Sequence, residues 1–164
     1  MSIKKTIQFT LNGETKEFTV TAGDSLLDLL RRSGYDGTKR GCEDGACGSC
    51  TVLLNGLAVN SCITFAFQAH DREVWTIEGI GEYGEPHPFQ KAMVEEAGVQ
   101  CGFCIPGIVL AVKAMLDEIA NPTEQEILEH LDGNYCRCTG YEKIEDALHK
   151  TIAVTTGEEP QWTR

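Results

Sequence analysis

The run GCEDGACGSCTV, residues 41 to 52, holds three of the eight cysteines of the chain and sets the interpretation of the rest. Four residues separate Cys42 from Cys47, and two separate Cys47 from Cys50. Three glycines are interspersed among these cysteines, so the backbone there can turn tightly and adopt positive φ angles. The run is therefore predicted to be a compact loop that brings several sulfur atoms together.

The eight cysteines fall into two groups of four with different spacings. The first cysteine set consists of Cys42, Cys47, Cys50 and Cys62, with eleven residues between the last two. The second cysteine set, with gaps of two, thirty-one and one residues, consists of Cys101, Cys104, Cys136 and Cys138. Four thiolates hold a [2Fe–2S] cluster, and a four-residue gap followed by a two-residue gap is typical of plant-type ferredoxin loops. The two sets predict two [2Fe–2S] clusters and a path for electrons.

Other uses of these cysteines fit the spacing less well. Structural zinc takes four cysteines, but its ligand pairs usually have two to four residues between them, unlike Cys136 and Cys138. Disulfides need an oxidising compartment, and a thioredoxin-like pair at Cys101 and Cys104 would leave the rest of the second set unexplained. The spacing favours iron–sulfur clusters. A free-standing two-cluster ferredoxin and a zinc-stapled interaction module remain as alternative functions.

The charge and the N-terminal sequence narrow the functional class. The 164 residues carry a net charge of −11, which argues against a nucleic-acid-binding surface. The N-terminal stretch MSIKKTIQFTLNG has neither an apolar signal region nor a twin arginine, and no later run is long enough to span a membrane. A cytoplasmic location, where thiols stay reduced, is expected.

Residues 1–77 are predicted to form an α+β domain. Asn12-Gly13 and Asn55-Gly56 are hairpin turns between segments of alternating apolar and polar residues. Ser25 begins a short helix in a capping box with Asp28, and Gly34 ends it. A brief helical stretch follows Cys62. The predicted strands are residues 4–11, 14–20, 51–54, 57–59 and 73–77.

Residues 78–88, rich in Gly, Glu and Pro, are predicted to be a linker, and residues 89–154 a four-helix bundle. Thr123 with Glu126, and Thr139 with Glu142, predict capping boxes. Residues 155–164 show no periodicity and are predicted to be a tail. The predicted helices are residues 89–97, 106–119, 123–131 and 141 to about 152.

Two of these helices begin just after cysteine pairs of the second set. Their free N–H groups and positive dipole ends are expected to converge on that site, where they would favour an anionic cluster. The bundle is expected to shield the second cluster from solvent.

Three motifs carry a resemblance to a known family: GCEDGACGSCTV (41–52), VQCGFCIPG (99–107) and GNYCRCTGY (133–141). In this order they resemble the iron–sulfur subunit of the molybdenum hydroxylases, which include xanthine oxidase, aldehyde oxidoreductase and carbon monoxide dehydrogenase. The similarity runs from the first hairpin to the last helix. It implies a β-grasp ferredoxin-like domain followed by an all-α four-helix domain.

The resemblance also implies a function and partners. Single electrons would pass from a molybdopterin cofactor on a large subunit, through both clusters, to FAD on a medium subunit or to another acceptor. The chain itself would carry out no substrate chemistry. The assembly would be a heterotrimer or a dimer of heterotrimers.

Matched residue by residue, the resemblance places the second cysteine set nearer molybdenum and the first set nearer flavin. Gln100 and Cys138 match positions that contact the pterin. Ile105 departs from the family pattern, which usually has threonine there, and Ser49 and Tyr135 also differ from the common choices. None of these three departures removes a cluster ligand.

Overall fold

The structure, a computed structural model, describes residues 4–82 and 84–157. A sheet-containing half is followed by a helical half, and short 3-10 turns occupy Ala66–Ala69 and Ile77–Gly79. The strands and helices are, in chain order, β1 (Lys4–Leu11), β2 (Glu14–Thr21), α1 (Leu26–Arg32), β3 (Thr51–Leu54), β4 (Leu57–Asn60), β5 (Glu73–Trp75), α2 (Pro88–Glu95), α3 (Ile105–Glu118), α4 (Glu124–Asp132) and α5 (Glu142–Thr156).

The sheet is mixed, with strand order β2-β1-β5-β3-β4. β1 pairs antiparallel with β2 and parallel with β5, and β3 pairs antiparallel with both β4 and β5. Both predicted hairpins are confirmed, and Asn12 and Asn55 adopt the positive φ angles that such turns require. The predicted strand over residues 73–77 is shorter than expected, because the chain enters a 3-10 turn at Ile77.

Helix α1 covers one face of the sheet. Its capping box is confirmed: Ser25 Oγ accepts from the Asp28 amide at 3.0 Å, and Asp28 Oδ2 accepts from the Ser25 amide at 3.4 Å. The four leucines of the helix are all buried. The core that α1 shares with the sheet includes Ile7, Phe9, Leu11, Val20, Leu26, Leu29, Leu30, Val52, Leu54 and Val74.

Strand β3 is buried on both faces. Val52 and Leu54 belong to the core under α1, whereas Leu53 points the other way, into the core of the helical half. Trp75 and Ile77 pack against that second core as well. The helical half therefore sits directly on the sheet, and β3 is shared between the two cores.

The helical half consists of α2 to α5 around one apolar core. Its buried members include Phe89, Met93, Ile108, Val109, Val112, Met115, Ile127, Leu131, Ile144, Leu148 and Ile152. The predicted fold class, an α+β ferredoxin-like domain followed by a helical domain, is confirmed. In the described ranges 4–82 and 84–157, no helix is long and apolar enough to cross a membrane.

The ends of the helices differ from the predictions in two places. Thr123 and Glu126 form the predicted capping box, but Thr139 and Glu142 do not, since the residue that caps α5 is Tyr141 in a left-handed conformation. Helix α5 also continues to Thr156, so the predicted tail is helical at its start. The remainder of that tail, from residue 158, lies outside the described residues.

Candidate metal centres

The first cysteine set lies at the base of strands β3 and β4. Cys42 and Cys47 are on the loop between α1 and β3, Cys50 directly precedes β3, and Cys62 follows β4. Gly45 and Gly48 have φ angles of +86° and +65°. The prediction that the glycines allow this loop to turn tightly is thus confirmed.

The four thiols of the first set form two contacting pairs. The Cys47 amide donates to Cys42 Sγ at 3.4 Å, and the Cys42 and Cys47 side chains are hydrogen-bonded to each other. The side chains of Cys50 and Cys62 form the other pair, and Cys42 lies close enough to Cys62 to interact with it electrostatically. All four members therefore surround one site.

The second cysteine set also forms two contacting pairs, but here each pair joins cysteines from two distant loops. Cys138 Sγ lies 3.5 Å from Cys101 Sγ, and Cys104 pairs with Cys136. Gly102, with φ of +81°, turns the chain between Cys101 and Cys104. Each pair thus joins one cysteine from the loop before α3 to one from the loop before α5.

Two separate pairs suit a two-iron cluster better than a single ion. A structural zinc ion needs four ligands around one point, whereas the four cysteines of a [2Fe–2S] cluster are divided between two irons. Gly41 packs closely against the first set, because a Cβ at this position would come within 2.6 Å of Cys47 Sγ.

Burial and hydrogen bonding shift the pKa values of the thiols of the first set in different directions. Burial raises the pKa of the Cys62 thiol to about 11, and its neighbour Cys50 adds to the effect. Burial also opposes ionisation of Cys47. There, the amide and hydroxyl of Ser49 donate to the sulfur, and together with bonds from Cys42 they hold the pKa of Cys47 below its ordinary value.

The second set shows the same contrast. Burial, together with the hydrogen bond and charge of Cys136, raises the pKa of the Cys104 thiol to about 12. Burial also acts against ionisation of Cys136, but the hydroxyl and amide of Thr139 lower the pKa of that thiol overall. At Cys101 a hydrogen bond from the Phe103 amide lowers the pKa.

The bundle does not shield the second set as predicted. Cys104 and Cys136 are buried, but Cys101 and Cys138 are exposed. The bundle covers the side of the site formed by Cys104 and Cys136, which belong to the helical core, and leaves Cys101 and Cys138 uncovered. The prediction that the bundle shields this site is therefore wrong for Cys101 and Cys138.

Residues 139–141 contribute differently from the predicted helix cap. The Thr139 hydroxyl lies 3.2 Å from Cys136 Sγ and hydrogen-bonds it, and it accepts from the Tyr141 amide at 3.1 Å. The Tyr141 hydroxyl accepts from the Cys136 amide at 2.8 Å and donates to the Asn134 carbonyl at 3.2 Å. Sequence reasoning missed these contacts, because the pattern Thr-x-x-Glu also fits an ordinary capping box.

The loops that carry the two sets touch each other. The Tyr135 amide donates to the Cys47 carbonyl at 2.9 Å. A cavity of about 270 Å³ lies at this junction. Its walls include Gly41, Cys47 and Ser49 from one side, with Cys101, Cys104, Cys136 and Cys138 from the other. The two sulfur-lined sites therefore lie next to each other in the fold.

The remaining residues singled out in the sequence lie around the second set. Gln100 is exposed on the loop directly before Cys101. Ile105 begins α3, and its half-buried side chain packs against the helical core. Neither residue belongs to the thiol pairs.

Two family models match the chain in succession. Residues 9–74 match a "2Fe-2S iron-sulfur cluster binding domain", and residues 76–149 match a "[2Fe-2S] binding domain". The two matches divide the chain between the sheet-containing half and the helical half. Each half therefore has its own iron–sulfur domain signature.

Three similar proteins bear names of oxidoreductases. The nicotinate dehydrogenase small FeS subunit of Eubacterium barkeri is 43% identical over 91% of this chain and 96% of its own length. The aldehyde oxidoreductase of Megalodesulfovibrio gigas is 40% identical, but only 17% of its length is matched by 93% of this chain. A chain of quinoline 2-oxidoreductase from Pseudomonas putida 86 superposes with a TM-score of 0.88 at 37% identity, covering 95% of this chain and 98% of that one. The chain thus belongs to the iron–sulfur subunits of the molybdenum hydroxylases.

Proposed function

We propose that each cysteine set holds one [2Fe–2S] cluster and that the chain relays single electrons between partner subunits of a molybdenum hydroxylase. A [2Fe–2S] cluster, when bound, takes up and releases one electron at a time. The observation that carries the proposal is the direct contact between the two thiol loops, through the Tyr135 amide and the Cys47 carbonyl.

The proposed ligands of one cluster are Cys42, Cys47, Cys50 and Cys62, and those of the other are Cys101, Cys104, Cys136 and Cys138. Their division into contacting pairs supports this assignment, since each pair would hold one iron. Hydrogen bonds from loop amides also support it, because N–H groups directed at sulfur stabilise the thiolates that bind metal.

The link between the loops gives the relay a short route. Cys47 belongs to the first set, and Tyr135 directly precedes Cys136 of the second. One hydrogen bond of 2.9 Å therefore connects the two ligand sets with few covalent bonds on either side. Held in this way, the two sites keep a fixed separation, which a one-electron relay needs.

The second set is the proposed entry side, covered by a large subunit that binds molybdopterin. Cys101 and Cys138 are exposed, and apolar side chains around them are exposed as well, including Val99 (40%), Phe103 (45%) and Tyr135 (54%). Such a surface fits burial against another chain. Gln100 and Cys138, both exposed, are the proposed contacts to the pterin.

The first set is the proposed exit side, toward FAD on a medium subunit or toward another acceptor. Substrate chemistry is assigned to the partners. The aldehyde oxidoreductase relative supports this division, since the region like this chain is 17% of that protein. The assembly would be a heterotrimer or a dimer of heterotrimers, in the cytoplasm.

Metal stoichiometry of the natively purified, untagged complex tests the proposal. Four irons per copy of this chain, with about one molybdenum in the co-purifying subunits, are expected. Four irons without molybdenum or partner chains would instead identify a free ferredoxin. Zinc in place of iron would contradict the assignment of both sites.

Two substitutions separate the proposed roles of the second set. Cys136→Ala should remove one cluster, lowering iron from four to about two per chain, and abolish turnover with the physiological acceptor. Normal turnover without that cluster would exclude the relay order. Gln100→Ala should lower molybdenum content and leave iron unchanged; the opposite result would exclude its role at the pterin.

A further inference from the structure

Asn134 is buried where the two halves of the protein meet, with 4% of its surface exposed. Its backbone is held by the helical half. The Asn134 amide donates to the Leu131 carbonyl in the last turn of α4 at 2.9 Å, and the Asn134 carbonyl accepts from the Tyr141 hydroxyl at 3.2 Å. Two residues further along the chain is Cys136, a proposed ligand of the second cluster. The main chain at Asn134 is therefore fixed relative to the second set.

The side chain of Asn134 reaches across to the loop of the first set. A Cβ built on Gly48 would lie 2.7 Å from Asn134 Oδ1, and a Cβ built on Gly107 would lie 2.8 Å from the same atom. Gly48 directly follows Cys47 of the first set, and Gly107 lies in the first turn of α3. The amide oxygen of Asn134 thus occupies the space beside both glycines, where their side chains would otherwise lie.

The sheet-containing half also contacts this oxygen. Thr51, the first residue of β3, is buried, and its hydroxyl donates to the Gly48 carbonyl at 2.7 Å. Asn134 Oδ1 lies 3.5 Å from the same hydroxyl. Gly48 also meets the backbone of the helical half, since a Cβ there would come within 2.1 Å of the Gly133 carbonyl oxygen. The two loops are therefore in contact around the Asn134 side chain and cannot move closer without a backbone clash.

A side chain in this position controls the distance between the two thiol loops. Protein interiors are close-packed, and the surroundings of a shortened buried side chain relax only in part, which leaves a void. Here the backbone contacts keep the loops from closing over such a void, so the loops would gain freedom of movement. Functional groups keep a constant geometry when the side chains that support them are locked by packing and hydrogen bonds.

We propose that Asn134 is a positioning residue for electron transfer: its side chain holds the loops of the two cysteine sets, and with them the two clusters, at a fixed separation. This inference rests on the proposed function. It is distinct from the bond between the Tyr135 amide and the Cys47 carbonyl, because that bond uses main-chain atoms that any residue except proline can supply. The role of Asn134, in contrast, depends on its side chain.

The test is Asn134→Ala in the complete complex, reduced with dithionite until both clusters are paramagnetic. Magnetic coupling between the two reduced clusters splits their EPR signals, and the splitting falls as the distance between the clusters grows. We expect a smaller and more heterogeneous splitting than in the wild type. A residue that only stabilised the fold would lower the unfolding temperature and leave the splitting unchanged in molecules that hold both clusters.

Asn60→Ala is the matched control. Asn60 Nδ2 donates to the Gly45 carbonyl at 2.9 Å, so this variant makes the same chemical change at the same loop, but at a bond within the sheet-containing half. Its splitting should stay as in the wild type. Asn134→Asp keeps the size of the side chain and the oxygen beside the glycines, so its splitting should be closer to that of the wild type than to that of the alanine variant. Asn134→Ser, which also shortens the side chain, replaces the alanine variant if that variant loses iron.

The inference is overturned if Asn134→Ala with both clusters loaded keeps the wild-type splitting, if Asn60→Ala loses as much of it, or if Asn134→Asp loses as much as the alanine variant. The proposed function fails on a different observation. If the wild-type complex does not show two separate cluster signals, the relay itself is excluded before any variant is compared.

Discussion

Gly107, in the first turn of α3, faces Gly48 so closely that a Cβ on Gly107 would come within 2.3 Å of the Gly48 carbonyl oxygen. Both atoms that would collide belong to parts of the chain that carry proposed cluster ligands, since Cys104 caps α3 and Cys47 precedes Gly48. The two sites approach one another because neither glycine has a side chain.

Gly107→Ala should therefore destabilise the protein and slow electron transfer between the clusters. Overpacking costs about 1–3 kcal/mol, which exceeds the gain of about 1 kcal/mol in helix propensity, because the obstacle is backbone. A lower thermal unfolding temperature and a slower intercluster rate are the measurements. Gly133→Ala is the control, since Gly133 is at the same junction, has φ of −72° and has nothing within 4 Å of its Cβ position. Equal losses in both variants would argue against the close contact as the cause.

Tyr141→Phe should weaken the second cluster site. The Tyr141 hydroxyl is the partner of the Cys136 amide, at 2.8 Å, and Cys136 is buried. Leaving a buried amide without its partner costs about 1–3 kcal/mol. We expect a lower unfolding temperature and a loss of iron confined to the second cluster, measured by iron analysis and EPR.

Tyr135→Phe provides the comparison for that result. The Tyr135 side chain is 54% exposed, and its hydroxyl accepts only a 3.3 Å bond from Arg137 among the contacts described. Its link to the first set runs through the amide, which phenylalanine retains. Iron content and stability should stay close to the wild type; a loss as large as that of Tyr141→Phe would contradict the role of the Tyr141 hydroxyl.

His87 should make the stability of the protein sensitive to acid. Its Nδ1 accepts from the Phe89 amide at 3.3 Å at the start of α2. Burial, reinforced by the charge of Lys113, lowers its pKa from the ordinary 6.5. The neutral form is therefore favoured on folding, and the stability it contributes is present above pH 6.5 and lost as pH falls through the lowered pKa.

His87→Asn should flatten that pH dependence, because asparagine caps helices well and does not titrate. The measurement is the unfolding temperature between pH 7 and pH 5, with His70→Asn, a change at an exposed histidine, as control. Parallel profiles for the wild type and His87→Asn would show that another group is responsible.

The exposed pair of the second set leads to a prediction about partners. In the isolated chain, a chelator should bleach the second cluster faster than the first, because Cys101 and Cys138 are open to solvent. In the complete complex the second cluster should be protected, since the large subunit is proposed to cover it. Visible absorption, with EPR to tell the clusters apart, follows both rates. Equal rates for the second cluster in the free and assembled chain would argue against this surface as the interface.

Local patterns predicted the fold well where the decisive interactions are local. Asn-Gly turns fixed both hairpins, and the Ser25–Asp28 and Thr123–Glu126 boxes placed the starts of α1 and α4. The spacing of the cysteines predicted their division into two sets. Short gaps within a loop limit which sulfur atoms can approach each other.

Contacts between distant segments decided the features that were missed. Cys101 pairs with Cys138 and Cys104 with Cys136, an arrangement that depends on how the loops before α3 and α5 pack. The Thr139 hydroxyl is hydrogen-bonded to Cys136 Sγ, a contact that helix propensities do not include. Helix α5 therefore begins at Glu142 without the predicted capping box. Exposure of the second set was misjudged because the sequence does not show which sides of a site its own helices leave open.

Because β3 is buried on both of its faces, it connects the unfolding of the two halves of the protein. Melting the helical half would expose Leu53, and melting the sheet would remove the strand on which α3 rests. Because Val52 and Leu54 anchor the same four-residue strand from the opposite side, neither half can come apart without uncovering apolar surface of the other. Two iron–sulfur domains that are distinct in sequence would then behave as a single cooperative unit, losing both clusters in one transition.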